Sequence, residues 1–164
     1  MTKIRSLTVD QDFWLNYATF LMSTLNAPDR ARALLQRATQ SVPRDQHREL
    51  TARFATLEFQ TPNGDPERGR TIFEGLLSTF PKRHDLWDMF IAQEVSKGEY
   101  GNARALLERL SEQKMNASKA KRRFKFWLEF EEKYGDGKSV ERVTTKAREV
   151  AERLKSEAEA GAEE

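Results

Sequence analysis

The sequence predicts an all-α chain, an α-solenoid of about four helix hairpins. Three observations predict it. Matching segments begin at Trp14, Thr51, Trp87 and Phe124, so they step by 36 or 37 residues. Within each segment the large apolar residues fall three apart, which puts them on one helical face. Proline occurs five times, each time where a predicted helix starts or stops, and no useful run of β-type alternation interrupts the pattern. A period in the mid-thirties with two helices per unit is the mark of stacked hairpins, because one pair cannot bury its apolar face alone.

Each copy has two parts. In the first, Trp14 leads to Tyr17 and Phe20, Thr51 to Phe54, Leu57 and Glu58, Trp87 to Phe90 and Glu94, and Phe124 to Trp127 and Glu131. The second part begins with a small residue followed by arginine. It reads Ala31-Arg32-Ala33-Leu34-Leu35 in copy one and Ala103-Arg104-Ala105-Leu106-Leu107 in copy three. Copy two has Gly69-Arg70-Thr71-Ile72-Phe73, and copy four degenerates to Val140-Glu141-Arg142-Val143, with Ala147 and Val150 continuing the face. Small residues at Ala31, Gly69 and Ala103 would let paired helices approach closely.

Punctuation places the helix ends. Asp65-Pro66 is a cap followed by a first-turn proline, and Asn26-Ala27-Pro28 is a looser version. Gly64, Gly98 and Gly135 stand where first helices should stop, as glycines just past a helix do. The stretch "TPN" before Gly64 lengthens its turn, and Pro43 and Pro81 fall in links between copies. Helices are predicted over 10–25, 28–41, 45–61, 66–79, 84–97, 100–114, 117–134 and 138–158. The repeats form one domain over 1–155, and 156–164 is expected as an acidic, mobile tail. Trp14, Tyr17, Phe54, Trp87, Phe90, Trp127 and Phe130 are the expected repeat core.

Composition bounds the chemistry. Charged residues make up 33% of the chain and apolar residues 38%, a balance that suits helices with a broad solvated face. No apolar run reaches the roughly 20 residues of a membrane span, and the start lacks a secretory apolar core. Cysteine is absent, which removes disulfides and thiolate metal sites and makes cytosol or nucleus the default compartment. The net charge of +2 is too balanced for the whole chain to act as a polycation.

Candidate catalytic features are weak. His47 and His84 lack further ligands, so no metal site is expected. No Gly-x-Ser-x-Gly elbow is present. "GDGKS" (135–139) lacks the strand and spacing of a phosphate loop and reads as a turn between helices. Glu58, Glu94 and Glu131 recur once per copy, whereas catalytic groups converge on one pocket. They are expected to pair with a neighbouring arginine or to cap a helix. No catalytic residue, cofactor or small-molecule substrate is predicted.

The uneven charge is more informative. "KMNASKAKRRFKFW" carries Lys119, Lys121, Arg122, Arg123 and Lys125, with Lys114 just before them. On a helical period Phe124 and Trp127 turn inward while Lys121, Arg122 and Lys125 turn outward. The run fits a solvated face or a contact with phosphates or an acidic partner. Lys82 and Arg83, in "PKRHD", make a smaller patch on a link.

The pattern Trp-x2-Tyr/Phe, Glu, Gly, then Ala-Arg-x-Leu-Leu resembles the half-a-TPR (HAT) repeat, a TPR-like hairpin of RNA-processing proteins. More specifically, "FATLEFQTPNGDPERGRTIFEGLLSTFPKRHDLWDMFIAQEVSKGEYGNARALLERL" and "KAKRRFKFWLEFEEKYG" resemble the C-terminal repeats of the rRNA-biogenesis family that joins S1 RNA-binding domains to a HAT tail, the ribosomal RNA-processing protein five family. The resemblance runs over residues 12–155. It implies a non-enzymatic scaffold in the nucleus and nucleolus, within the early pre-ribosome and small-subunit processome. The implied partners are ribosome assembly factors, with pre-rRNA as a second ligand through the basic patches. The chain departs from the pattern at Thr51 and in the second helix of copy four, which fits a terminal cap. A first copy so near the start suggests a piece of a longer protein. The alternative is a HAT scaffold of splicing or mRNA 3′-end formation, distinguished by whether S1 domains lie upstream.

Overall fold

A computed structural model describes residues 10–163. Among these residues the regular structure is entirely helical. The helices are α1 (Gln11–Ser23), α2 (Pro28–Ser41), α3 (His47–Gln60), α4 (Pro66–Thr79), α5 (His84–Ser96), α6 (Tyr100–Ser111), α7 (Ala117–Tyr134) and α8 (Gly137–Ala162). A short 3-10 turn, Arg44–Gln46, precedes α3 where the sequence suggested helix from residue 45. None of the helices is long and apolar enough to cross a membrane.

The caps follow the local chemistry. Asp10 accepts a hydrogen bond from the Phe13 amide at 3.0 Å, Asp65 from Glu67 at 3.0 Å, and Asn116 from Lys119 at 2.9 Å. Each satisfies an amide that the first helical turn leaves without an internal partner. The "GDGKS" stretch is the α7–α8 turn. There Asp136 accepts from the Ser139 amide while the Ser139 hydroxyl accepts from the Asp136 amide, a reciprocal capping box. The looser Asn26-Ala27-Pro28 start has no side-chain cap, and Asn26 instead takes a left-handed conformation with φ of 50°.

The three turn glycines divide by cause. Gly98 adopts φ of 73°, and the Gly98 and Glu99 amides bond back to Val95 and Glu94, closing a Schellman turn. Gly64 and Gly135 do not adopt positive φ. They are glycines because space is lacking: a Cβ at Gly135 would lie 2.1 Å from Glu131 Oε2, and one at Gly64 would lie 2.3 Å from the Glu58 carbonyl.

The chain divides into two compact units, one ending at Glu99 and the other beginning at Tyr100. The boundary falls inside the third copy, at a point the repeat spacing does not mark. In the first unit α1 packs on α2 and α3 on α4, while α5 lies against both α3 and α4. Its N-terminal core joins Trp14, Ala18, Leu21, Leu34 and Leu50, with Phe54 closing it and Tyr17 partly buried at the edge. Phe20 points outward, 46% exposed, because its place on α1 lies beyond the stripe that meets α2. Further on, Phe59, Phe73 and Phe90 form a cluster from α3, α4 and α5, with Phe73 and Phe90 stacked at 4.9 Å. Gly69 permits this contact, since a Cβ there would come within 2.5 Å of the Phe59 ring.

In the second unit α6 packs on α7 and α7 on α8. Leu106, Leu107 and Leu110 join Phe124, Trp127, Phe130 and Val143 in being buried. Tyr100 stacks on Tyr134 at 4.3 Å. Helix α8 runs four residues past its expected end at 158, so the acidic stretch expected as a mobile tail continues the helix to Ala162.

Candidate partner-binding surface

A recurring ion pair sets the register of the hairpins. In each case an arginine of a second helix reaches the glutamate of the next copy's first helix. Arg32 Nε donates to Glu58 Oε1 at 2.8 Å, Arg70 Nε to Glu94 Oε1 at 2.6 Å, and Arg104 Nε to Glu131 Oε1 at 2.6 Å. A second bond from the guanidinium Nη2 to the other carboxylate oxygen, at 3.0 to 3.1 Å, completes each fork. All three glutamates expected to pair with arginine or cap a helix pair with arginine, and one of them does both. Glu58 Oε2 also accepts the Asp65 amide at 2.7 Å, where α4 begins.

These clamps are largely dry. The Glu58, Glu94 and Glu131 side chains are 4%, 1% and 1% exposed. Two of the arginines also lie over a ring, Arg70 over Phe59 and Arg104 over Phe130. Burial pushes the Glu131 carboxyl up, but bonds from Arg104, Ser139 and Trp127 outweigh it and hold the group below the ordinary carboxylate range. Hydrogen bonding to the paired glutamate raises Arg32, Arg70 and Arg104 in spite of their burial. A planar donor fork matched to a carboxylate gives both charge and geometry, which lysine cannot reproduce. The glutamates stand out in the sequence, but their partners, which lie 24 to 27 residues earlier, do not. The signal lay in the recurrence of one small-residue–Arg pair and one Glu in successive copies, 24 to 27 residues apart.

The basic side chains decorate this frame. Lys119, Lys121, Arg122 and Lys125 are exposed on the first three turns of α7. Arg123 is partly covered and packs over Phe126 at 5.6 Å. The five do not share one face. Lys119 and Arg122, three apart, form one row, while Lys121 and Lys125, four apart, form another. Lys121 and Lys125 stand with Phe124 around a groove between α7 and α8, rather than on the side opposite the aromatics. Lys82 and Arg83 belong to the other unit, in the link before α5. Arg83 is turned toward Asp85, with Nη2 to Oδ2 at 3.0 Å, so its charge is locally compensated.

The remaining candidates have structural surroundings. His47 Nε2 lies 3.1 Å from the Val42 carbonyl, where it can donate a hydrogen bond. Among the described residues no three His, Cys, Asp or Glu side chains gather as a metal site would require. Trp127 Nε1 donates to Glu131 at 3.3 Å and Trp87 Nε1 to the Pro81 carbonyl at 3.0 Å, so two repeat tryptophans also tie down turns and clamps.

Paired helices, small residues at close approaches and an Arg–Glu fork from copy to copy define a helical-repeat protein of the HAT type, an α-solenoid class built from hairpins. The chain belongs to the suppressor of forked protein (Suf) family, whose pattern matches residues 50–161. It is 44% identical over 144 residues to the rRNA biogenesis protein rrp5 of Schizosaccharomyces pombe, covering 88% of this chain. It is 36% identical to the Protein RRP5 homolog of Mus musculus over 85% of the chain, and 37% identical to the rRNA biogenesis protein RRP5 of Arabidopsis thaliana over 80%. The chain spans only 8%, 7% and 7% of the length of these three relatives.

Proposed function

We propose that this chain is a non-enzymatic scaffold of ribosome biogenesis, working in the nucleolus within the early pre-ribosome. It holds assembly-factor proteins in the small-subunit processome, and its basic row on α7 contacts the pre-rRNA backbone in support of pre-rRNA processing. The observation that carries the reading is the 44% identity over 88% of the chain to a protein named for rRNA biogenesis. The Suf-family hairpins and their Arg–Glu clamps support a rigid binding frame, and the names of the relatives are not those of enzymes. Lys119 and Arg122 suit phosphate contact because they are exposed and adjacent on α7. Such contacts give affinity that falls with salt and carries little sequence information.

The test replaces Lys119 and Arg122 together with glutamate. Binding to pre-rRNA fragments is measured at two salt concentrations, and crosslinking with mass spectrometry is done on the assembled particle. The expected result is weaker RNA binding with a shallower salt slope, by about one to two, and crosslinks from this chain to assembly factors. RNA binding that ignores the substitutions, together with a particle giving no crosslinks to assembly factors, would overturn the proposal.

A further inference from the structure

Helix α8 does not finish as a polar cap. Its stripe Val143, Ala147, Val150 and Leu154 recurs at three and four residues, and only Val143 is buried. Arg142 and Lys146, on the neighbouring row, turn instead to Glu108 of α6. The rest of the stripe forms one wall of an open groove against Phe124 and Leu128 of α7, with a volume of about 720 Å³. The alanines of both helices, Ala120 and Ala151 among them, leave the space that larger side chains would fill.

The groove has a definite length and a definite sign. Along α7 it runs from Ala117 to Leu128, which at 1.5 Å per residue is about 16 Å, or roughly three helical turns. Three lysines line it, Lys121 and Lys125 from α7 and Lys155 from α8, and no carboxylate does. Arg148 continues the same outward row of α8 between Thr144 and Ala151. An apolar trough flanked by cations on both sides is complementary to a helix with an apolar stripe between acidic residues. Lysine stems can lie along the trough while their ammonium groups meet the acids at its edge.

We infer that the α7–α8 groove is a docking site for an acidic amphipathic helix, about three turns long, of a partner protein. This rests on the reading of the chain as a protein-holding scaffold and names the chemistry of one partner. Apolar burial supplies the affinity. The lysine rim selects acidic over basic helices and sets the orientation.

The experiment selects from a displayed library of helix-biased peptides, about four turns long, against the full chain. Enriched peptides are then measured by fluorescence anisotropy. The expected result is enrichment of acidic amphipathic sequences whose binding falls roughly tenfold in the Lys121→Glu/Lys125→Glu double variant. Binding should be lost in Ala151→Arg, which fills the groove from an exposed position and leaves the core intact. Hydrogen exchange should show protection confined to 117–128 and 143–158. Enriched peptides that are basic or lack amphipathic spacing, or that bind Ala151→Arg unchanged, overturn the inference. A concentration-dependent dimer abolished by Ala151→Arg assigns the groove to a second copy, and displacement of the peptide by an RNA oligonucleotide assigns it to nucleic acid; either also overturns it. Particle crosslinks to assembly factors that persist in Ala151→Arg would leave the scaffold reading standing while this site fails.

Discussion

Arg104 and Glu131, 27 residues apart, meet in a two-bond fork with Nε–Oε1 of 2.6 Å and Nη2–Oε2 of 3.0 Å. The glutamate is almost wholly withdrawn from water, at 1% exposure, and the arginine is 29% exposed. Removing the arginine therefore leaves a dry carboxylate short of its main partner, while the partly wet guanidinium limits what is lost. Arg104→Ala is expected to destabilise the chain by about 2–4 kcal/mol. Arg104→Lys should recover only part of that loss, because an ammonium cannot form the fork. Urea denaturation followed by circular dichroism measures both. A loss below about 0.5 kcal/mol for the alanine variant, the scale of an exposed pair, would contradict the account.

The same carboxylate predicts an acid dependence. Glu131 is held below the ordinary carboxylate range in the folded chain. The unfolded state then binds more protons between the two values, so stability rises with pH there. The contribution is present above the unfolded value, roughly 4.3, and is lost as pH falls through the lower folded value. Glu131→Gln should flatten the acid limb of the stability curve, below about pH 5, as measured by melts across that limb. A curve of unchanged slope would refute it.

Two glycine substitutions should fail for different reasons. At Gly98, with φ of 73° and open space around it, alanine is expected to cost about 1 kcal/mol of backbone strain. At Gly135 the added carbon would lie 2.1 Å from Glu131 Oε2 and 2.2 Å from Ser139 Oγ. There alanine must displace the clamp and its neighbouring cap, so Gly135→Ala should cost more. Its effect should shrink in a Glu131→Ala background, which removes the crowding oxygen and which a double-mutant cycle measures. Additive effects would show that the carboxylate is not what the glycine accommodates.

The stack of Phe73 on Phe90 links α4 to α5, and Phe73 is fully buried. Phe73→Ala is expected to cost about 3–5 kcal/mol, and Phe73→Leu less, because leucine fills more of the volume. Thermal melts of both variants give the ordering, and equal losses would argue against a cavity.

The repeats were legible because each helix carries its own evidence. Trp87, Phe90 and Glu94 keep the same offsets as Phe124, Trp127 and Glu131, and the prolines mark the links. What the pattern could not give was pairing across copies. Arg32 meets Glu58 only once α2 and α3 lie together, and periodicity is silent on which neighbour a polar side chain chooses. Asn63 is similar. Read as part of a lengthened turn, it donates to the Met22 carbonyl at 2.7 Å and so ties that turn to the end of α1. Along α7 the alternation of aromatic and basic residues suggested a simple inside and outside. Lys121 and Lys125 instead border an apolar groove, because the facing residues of α8 include alanines too small to close it.

The Arg–Glu fork is not symmetrical. Copy one has Leu21 at the glutamate position and presents Arg32 forward; copy four receives through Glu131 and has Glu141 at the arginine position. Every interior module thus has a cationic leading edge and an anionic trailing edge, which gives the array a polarity like that of a head-to-tail polymer. Whole modules could be duplicated, excised or reordered with the joints still matching, whereas exchanging the two helices within a module would set like charges against each other.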